Sequence, residues 1–307
     1  MSSIMTNVSA MTALQSLNNT NKQLANTQNQ ISTGFRVSSA QDNAAYWSIA
    51  TTMRSDNSTL STVKDALGLG AATIDVAYTG LNAAIDITKQ IKDKLVAATQ
   101  PGIDRTKIQS EISQLQNQLQ SVGDSSVFSG QNWLSVDSGA TNYNASKSIV
   151  ASFSRSGNSV LIGTISIDTS ATKLFDANDQ SGILDTIDTT ANGGVDYSVK
   201  TLDISSLSDS GNDLADLKQM ASYVDASIGK MTAAASDLGA VKQRTTMQQD
   251  FVGKLMDAIS IGVGTLVDAD MNQESTKLQA LQVQQQLGVQ ALSIANQNNQ
   301  SILSLFR

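Results

Sequence analysis

Between Leu217 and Leu266 apolar residues recur by alternating strides of four and three. The seam runs Leu217, Ala221, Val224, Ile228, Met231, Ala235, Leu238, Lys242, Thr245, Gln249, Val252, Met256, Ile259, Val263 and Leu266, and only Lys242, Thr245 and Gln249 break it. With no proline inside, the pattern predicts one helix about 75 Å long at 1.5 Å per residue. A lone apolar stripe of that length is unstable until something equally long covers it. The same stride, with interruptions, predicts a second long helix from Tyr46 through Met53, Leu60, Leu67, Ile74, Leu81, Ile91 and Leu95 to Ala98, stopped by Gln100-Pro101-Gly102. Asp104 is placed to cap a third helix with seam Ile108, Ile112, Leu115, Leu119 and Val122, closed at Gly123. A reversal at Pro101 lays the third helix on the second. Both then cover Leu217–Leu266, giving a three-helix rod.

Weaker patterns flank the rod. Leu14, Leu17, Leu24 and Ile31 share one stripe with Asn21 and Gln28, and Ile4, Val8 and Met11 precede it. Polar residues at seam positions lower stability while favouring one register. Gly34 is placed as a helix C-cap, with Phe35-Arg36-Val37 extended after it. Ser38 with Gln41, and Ser39 with Asp42, then have the spacing of a capping box ahead of the second helix. The rod seam breaks at Asp268 and Asp270. A last amphipathic helix from Met271 to about Arg307 carries Leu278, Leu281, Val283, Leu287, Leu292, Ile294, Ile302, Leu303, Leu305 and Phe306. Its polar face is neutral amide, as in Gln284-Gln285-Gln286 and Asn296-Gln297-Asn298-Asn299-Gln300.

Between Gly123 and Gly211 the heptads vanish and Ser, Thr, Asn, Asp and Gly become dense. Ile149–Phe153 and Val160–Ile167 flank Ser156-Gly157-Asn158 and predict a hairpin, and Val195–Val199 alternates as a strand. The expected fold class is therefore mainly α, a long coiled-coil helical rod with a small β-rich central insertion. That insertion reads as solvent-facing turns, so Thr172–Asp209 is expected to be replaceable by a Gly/Ser linker.

Composition narrows the chemistry. The 307 residues include no His, no Cys and a single Pro, and 15% are charged. The commonest general base, nucleophilic thiol and soft metal ligand are all missing, so no catalytic residue, cofactor or metal site is expected. A net charge of −7 argues against nucleic acid. No apolar run reaches the length of a membrane span, and the first basic residue is Lys22, so neither membrane insertion nor a Sec-type signal is expected. Asp268 and Asp270 fit a break between helices better than a metal site, because residues two apart do not share a helix face. The pairs Gly68/Gly70 and Gly262/Gly264 follow no strand, so close helix packing accounts for them better than phosphate binding. Tyr46 and Trp47 are expected at a subunit contact or the rod's end. Asn144-Ala145-Ser146 matches a glycosylation triplet that recurs by chance.

Gln30-Ile31-Ser32-Thr33-Gly34-Phe35-Arg36-Val37-Ser38-Ser39-Ala40-Gln41-Asp42-Asn43-Ala44-Ala45 resembles the N-terminal signature of bacterial flagellins. Asp237-Leu238-Gly239-Ala240-Val241-Lys242-Gln243-Arg244 is similar to a C-terminal rod helix of that family. Val267-Asp268-Ala269-Asp270-Met271, Glu274 and Ile302-Leu303-Ser304-Leu305 resemble its C-terminus, and Ser126-Val127-Phe128-Ser129-Gly130 its entry to a β-hairpin. Tyr46-Trp47-Ser48 resembles the alphaproteobacterial branch. Where many enteric flagellins carry an Arg-Val-Arg-Glu-Leu patch read by a Toll-like receptor, Gln90-Ile91-Lys92-Asp93-Lys94 stands here, so that recognition is not carried over.

The resemblance implies terminal helices at 1–34 and 271–307 forming an inner coiled coil, a rod at 35–136 and 210–270, and a hairpin with a small variable surface region at 137–209. It implies an assembly seam of Leu14, Leu17, Leu24, Ile31, Leu278, Leu281, Leu287, Leu292, Ile294, Leu303 and Leu305. It also implies a family motif of Gly34, Arg36, Ser39, Asp42, Asn43, Leu238, Gly239, Val241 and Arg244. The implied function is a subunit of the extracellular flagellar filament, exported unfolded by the flagellar type III apparatus with a chaperone. The implied partners are itself, sibling flagellins, hook-junction proteins and cap proteins. Each terminal helix lacks an equally long cover in its own chain, so both are expected to order only on polymerisation. A hook–filament junction protein and a coiled-coil signalling or tethering protein are the alternatives.

Overall fold

The computed structural model describes residues 6–157 and 159–304, with side chains as far as 297. The helices are α1 (Val8–Thr33), α2 (Ala44–Ala98), α3 (Arg105–Ser125), α4 (Gly211–Val267) and α5 (Met271–Ser304). The strands, all between α3 and α4, are β1 (Val127–Phe128), β2 (Gln131–Asn132), β3 (Ser135–Val136), β4 (Ser146–Ser156), β5 (Ser159–Asp168), β6 (Phe175–Asp176), β7 (Asp188–Thr189) and β8 (Asp196–Tyr197). The chain divides into two compact units, one of Met1–Ser58 with Met256–Arg307 and one of Thr59–Leu255.

In the Thr59–Leu255 unit α2 and α4 run antiparallel along the predicted seams. Gln249 lies against Gly68, Tyr78 against Gly239, Lys242 pairs with Asp75, and Lys92 with Asp225 at 2.9 Å. The two residue numbers of every pair share one sum, so the helices keep a single register without slipping. Leu60, Leu67, Ile74, Leu81, Ile91 and Leu95 of α2, and Leu217, Val224, Met231, Leu238 and Val252 of α4, are buried. The interruptions have local remedies. Thr245 is fully buried, and its hydroxyl donates to Val241 O one turn back at 2.9 Å. Lys242 reaches out to Asp75 across the Tyr78 ring.

Pro101-Gly102 makes the reversal, with Gly102 at φ 82, and Asp104 caps α3 by accepting from Thr106 N and Lys107 N. α3 runs two residues past Gly123, whose missing Cβ leaves room for the Phe175 ring. Buried Arg105 ties the turn together, donating to Ala98 O at 3.1 Å and to Asp209 Oδ1 at 2.6 Å.

The hairpin forms as β4–β5, in antiparallel register from Ser146↔Asp168 to Ser156↔Ser159, with a bulge between Val150 and Ser152. The alternation at Val195–Val199 yields only β8, two residues paired with β7. The larger difference is burial. Leu174, Phe175, Leu184, Tyr197, Val199, Leu202 and Ile204 are core residues, not solvent-facing decoration. Helix amides hold this segment. Gln116 Nε2 donates to Val199 O and Leu202 O, Ile204 N donates to Gln109 Oε1, and Asn192 N and Gly193 N donate to the buried Asp216 carboxylate. Polar helix positions that read as solvated surface are instead docking points for backbone.

Beneath it, buried Asp176 accepts from Lys173 Nζ at 2.6 Å and from Ser138 N and Asn178 N, while its own N–H donates to Asp185. Burial alone would raise the Asp176 pKa, but the Lys173 ammonium and the N–H donors outweigh it and hold the carboxyl well below the usual range. Burial pushes Asp185 upward. A depressed carboxyl contributes stability above its unfolded pKa and loses it as pH falls through the folded one. Asp176→Asn is therefore expected to cost about 2–4 kcal/mol at pH 7. The gap from wild type should narrow below about pH 4. Urea unfolding at both pH values checks this, and the comparison with wild type cancels the opposite trend of Asp185.

Candidate assembly surface

The other unit, Met1–Ser58 with Met256–Arg307, contains both terminal helices. Asn7 caps α1 by accepting from Ala10 N, and Gly34 closes it in the left-handed region at φ 76. Asp270 Oδ1 accepts from Asn272 N and Gln273 N at the start of α5, which gives that carboxylate a capping role. α1 and α5 then lie antiparallel. Asn7 Nδ2 donates to Ala295 O at 2.9 Å, Gln285 Nε2 donates to Asn21 Oδ1 at 2.8 Å, and Gly288 faces Leu17.

The facing stripe on α5 is Leu278, Leu281, Gln285, Gly288, Leu292 and Ala295; on α1 it is Ala13, Leu17, Thr20, Leu24, Thr27 and Ile31. Each helix thus has a cover in its own chain, contrary to the expectation that it would lack one. The stripe also differs from the predicted one. Leu17, Leu24 and Ile31 are shared, but Thr20 and Thr27 take the alternate places, while Leu14, Asn21 and Gln28 are exposed. Strides of four and three fit either set. The smaller set wins where the backbones come close, as at Gly288 against Leu17.

α5 carries a second apolar stripe. Val283, Leu287 and Ile294 lie on the face opposite Leu281 and Leu292, and are 55%, 57% and 62% exposed, whereas Leu281 is 5% exposed. Val8, Met11 and Leu14 of α1 are exposed as well. A groove of about 700 Å³ between the helices is lined by Val8, Ala13, Ser16, Gly288, Ala291 and Ile294. A helix that is apolar on two opposite faces cannot bury both in a two-helix pair. The Leu303 side chain and Leu305 lie outside the described residues.

A two-sided pair with a half-buried seam is marginal by itself. Brief protease treatment of the monomer is expected to trim α1 and α5 well before it cuts Thr59–Leu255. Equal resistance of the two units, seen on gels, would count against this.

The links to the terminal helices are zipped together. Arg36 N and Val37 N donate to Val267 O at 2.7 and 3.2 Å, and Ala269 N donates to Gly34 O at 2.9 Å. Phe35 bridges Asp268, the Arg36 guanidinium donates to Leu266 O, and Arg54 stacks over the Phe35 ring at 4.8 Å. Val37, Ala50, Val263 and Val267 form the core beneath. Asp42 accepts from the backbone N–H and hydroxyl of both Ser38 and Ser39, and these bonds, the Ser39 N–H first, lower its pKa. The expected capping box is therefore a closed turn outside the helix. Asn43 caps α2 instead, accepting from Ala45 N and Tyr46 N at 3.1 Å. Tyr46 and Trp47 stand half-exposed in the first turn.

The remaining motif residues belong to the Thr59–Leu255 unit. Leu238 is buried in the seam, Gly239 abuts Tyr78, Val241 is half-buried, and Arg244 is exposed. Sequence reasoning missed Thr20, Thr27 and Gly288 as seam residues. The signal was present as an equally regular stride one residue over.

Long capped helices and hydrogen-bonded linkers make this a mainly helical protein whose terminal pair leaves an apolar stripe exposed. The family model described as bacterial flagellin N-terminal helical region matches residues 4–138, and that described as bacterial flagellin C-terminal helical region matches residues 221–306. Flagellin C of Rhizobium meliloti (strain 1021) is 49% identical, a flagellin of Brucella melitensis biotype 1 is 44% identical, and flagellin A of Rhizobium meliloti is 40% identical. Each of these alignments covers all of both chains. The chain belongs to the bacterial flagellin family. It is a structural subunit of the extracellular flagellar filament, in a family of structural proteins. No described helix is long and apolar enough to cross a membrane.

Proposed function

We propose that filament growth runs through the outward stripe of the terminal pair, with α1 and α5 as an inner coiled coil and the rest of the chain as rod and surface. The observation that carries this is the exposure of Val283, Leu287 and Ile294 opposite a seam that α1 already covers. Copies of one chain bring that stripe in abundance, so self-packing buries in the polymer what the monomer leaves wet. Exposed Leu14 of α1 extends the same surface, while Leu281, Leu278 and Leu292 hold the pair. Family membership supports unfolded export through the flagellar type III apparatus, with chaperone, cap and hook-junction proteins as transient partners. No catalytic step, cofactor or metal enters this reading. Salting out purified protein and imaging it by negative stain tests it. Micrometre filaments are expected from the full chain and none from a chain ending at Asp270. Short discs would favour a junction protein, and persistent soluble rods a tether.

A further inference from the structure

The Thr59–Leu255 unit carries an apolar knob that its own fold does not use. Met247 and Phe251, 59% and 58% exposed, project from α4 one turn apart on the face opposite its seam. Exposed Arg244 and Lys254 continue that face on either side. The same unit carries an unfilled groove between α2 and α3. It is lined by Val76, Thr79, Gly80, Ala83, Val122 and Ser125 and holds about 400 Å³. Its floor is made by Gly80, where a Cβ would collide with the Ser126 hydroxyl, so no side chain rises there. Acidic groups mark its edge: Asp75 lines it, and Asp124 precedes Ser125.

Resting on the filament reading above, we propose that the Met247–Phe251 knob of one subunit seats in the α2/α3 groove of a second copy, as the rod-to-rod contact of the polymer. Two arguments select a second copy as the occupant. The charges are complementary, with Arg244 and Lys254 outnumbering Asp250 beside the knob and Asp124 beside the groove, where Asp75 is already paired with Lys242. The two surfaces also differ and sit at different levels along the rod. Phe251 lies two residues, about half a turn, beyond Gln249, which is level with Gly68, whereas the groove starts at Asp75. A knob and groove on different faces cannot close into a two-fold dimer. They join head to tail with an axial stagger, and such a contact propagates into a filament.

The chain has no cysteine, so an introduced pair reports this contact alone. Phe251→Cys with Thr79→Cys is polymerised under reducing conditions, oxidised mildly and run on non-reducing gels. Within one copy the two positions are too far apart along the rod to bridge. A ladder of covalent multimers from the double variant, with at most dimers from either single variant, is the expected result. Filaments that give no ladder, or only dimers, overturn the contact and leave the filament reading standing. Failure of the wild-type chain to polymerise sinks the filament reading itself. If only the double variant fails to grow, Phe251→Asp and Ala83→Trp decide. Loss of seeded growth in each by at least tenfold, with unchanged monomer helicity, supports the contact, and normal growth of either overturns it.

Discussion

A Leu287→Asp chain is expected to grow no filament from wild-type seeds while its monomer keeps the wild-type helical content. Leu287 is 57% exposed in the single subunit, so a carboxylate there meets water and costs the fold little. In a packed seam between copies the same carboxylate is stripped of water with no cation near it on its own helix. Among the described residues of α5 the only basic side chain is Lys277, almost three turns away and paired with Glu274. An unpaired buried carboxylate costs about 3–5 kcal/mol, and each 1.4 kcal/mol is tenfold in an equilibrium constant. The critical concentration should rise by roughly a hundredfold or more. Leu281→Asp is the informative contrast. Leu281 faces α1 and is buried in the subunit, so its change should lower monomer helicity before assembly is reached. Circular dichroism of both monomers and electron microscopy after seeding separate the cases. Ordinary filaments from Leu287→Asp would remove the terminal stripe from the assembly surface.

Replacing Thr172–Asp209 with a short Gly/Ser linker should unfold much of the Thr59–Leu255 unit. The composition of this segment promises a dispensable loop, but it carries Leu174, Phe175, Leu184, Tyr197, Val199, Leu202 and Ile204 into the core. Full burial of one such side chain is worth about 1.5–3 kcal/mol, an upper figure because the unfolded chain is not fully extended. Seven of them rival the ~5–15 kcal/mol total stability of an ordinary domain. The loss also strands Gln109, Gln116 and Asp216, whose partners lie in the removed backbone. Buried Asp216 is the most costly, as a carboxylate left without its Asn192 and Gly193 donors. The variant should lose its cooperative thermal transition and become sensitive to protease between α3 and α4. A transition within a few degrees of wild type would show that the two helices do not need this cover.

The seams were legible because a helix repeats its faces every three to four residues, so a long buried stripe must recur in the sequence. That periodicity alone determined the helices α2, α3 and α4 and the pairing of α2 with α4, and the stops at Gly34, Pro101 and Asp270 followed from local backbone chemistry. The family motif was legible too, as residues in order. Other features depended on contacts distant in sequence. Whether α1 packs along Leu14 or one residue over is degenerate in the pattern, and the close approach of Gly288 to Leu17 decided it. The burial of residues 172–204 has no period, since its apolar side chains come from turns and two-residue strands. Only the meeting of those turns with Gln109, Gln116, Asp216 and Gln219 fixes which carbonyls and amides are satisfied. A polar residue on a helix reads the same in sequence whether it faces water or another segment's backbone. The physical difference is the hydrogen-bond partner, and tertiary structure supplies it.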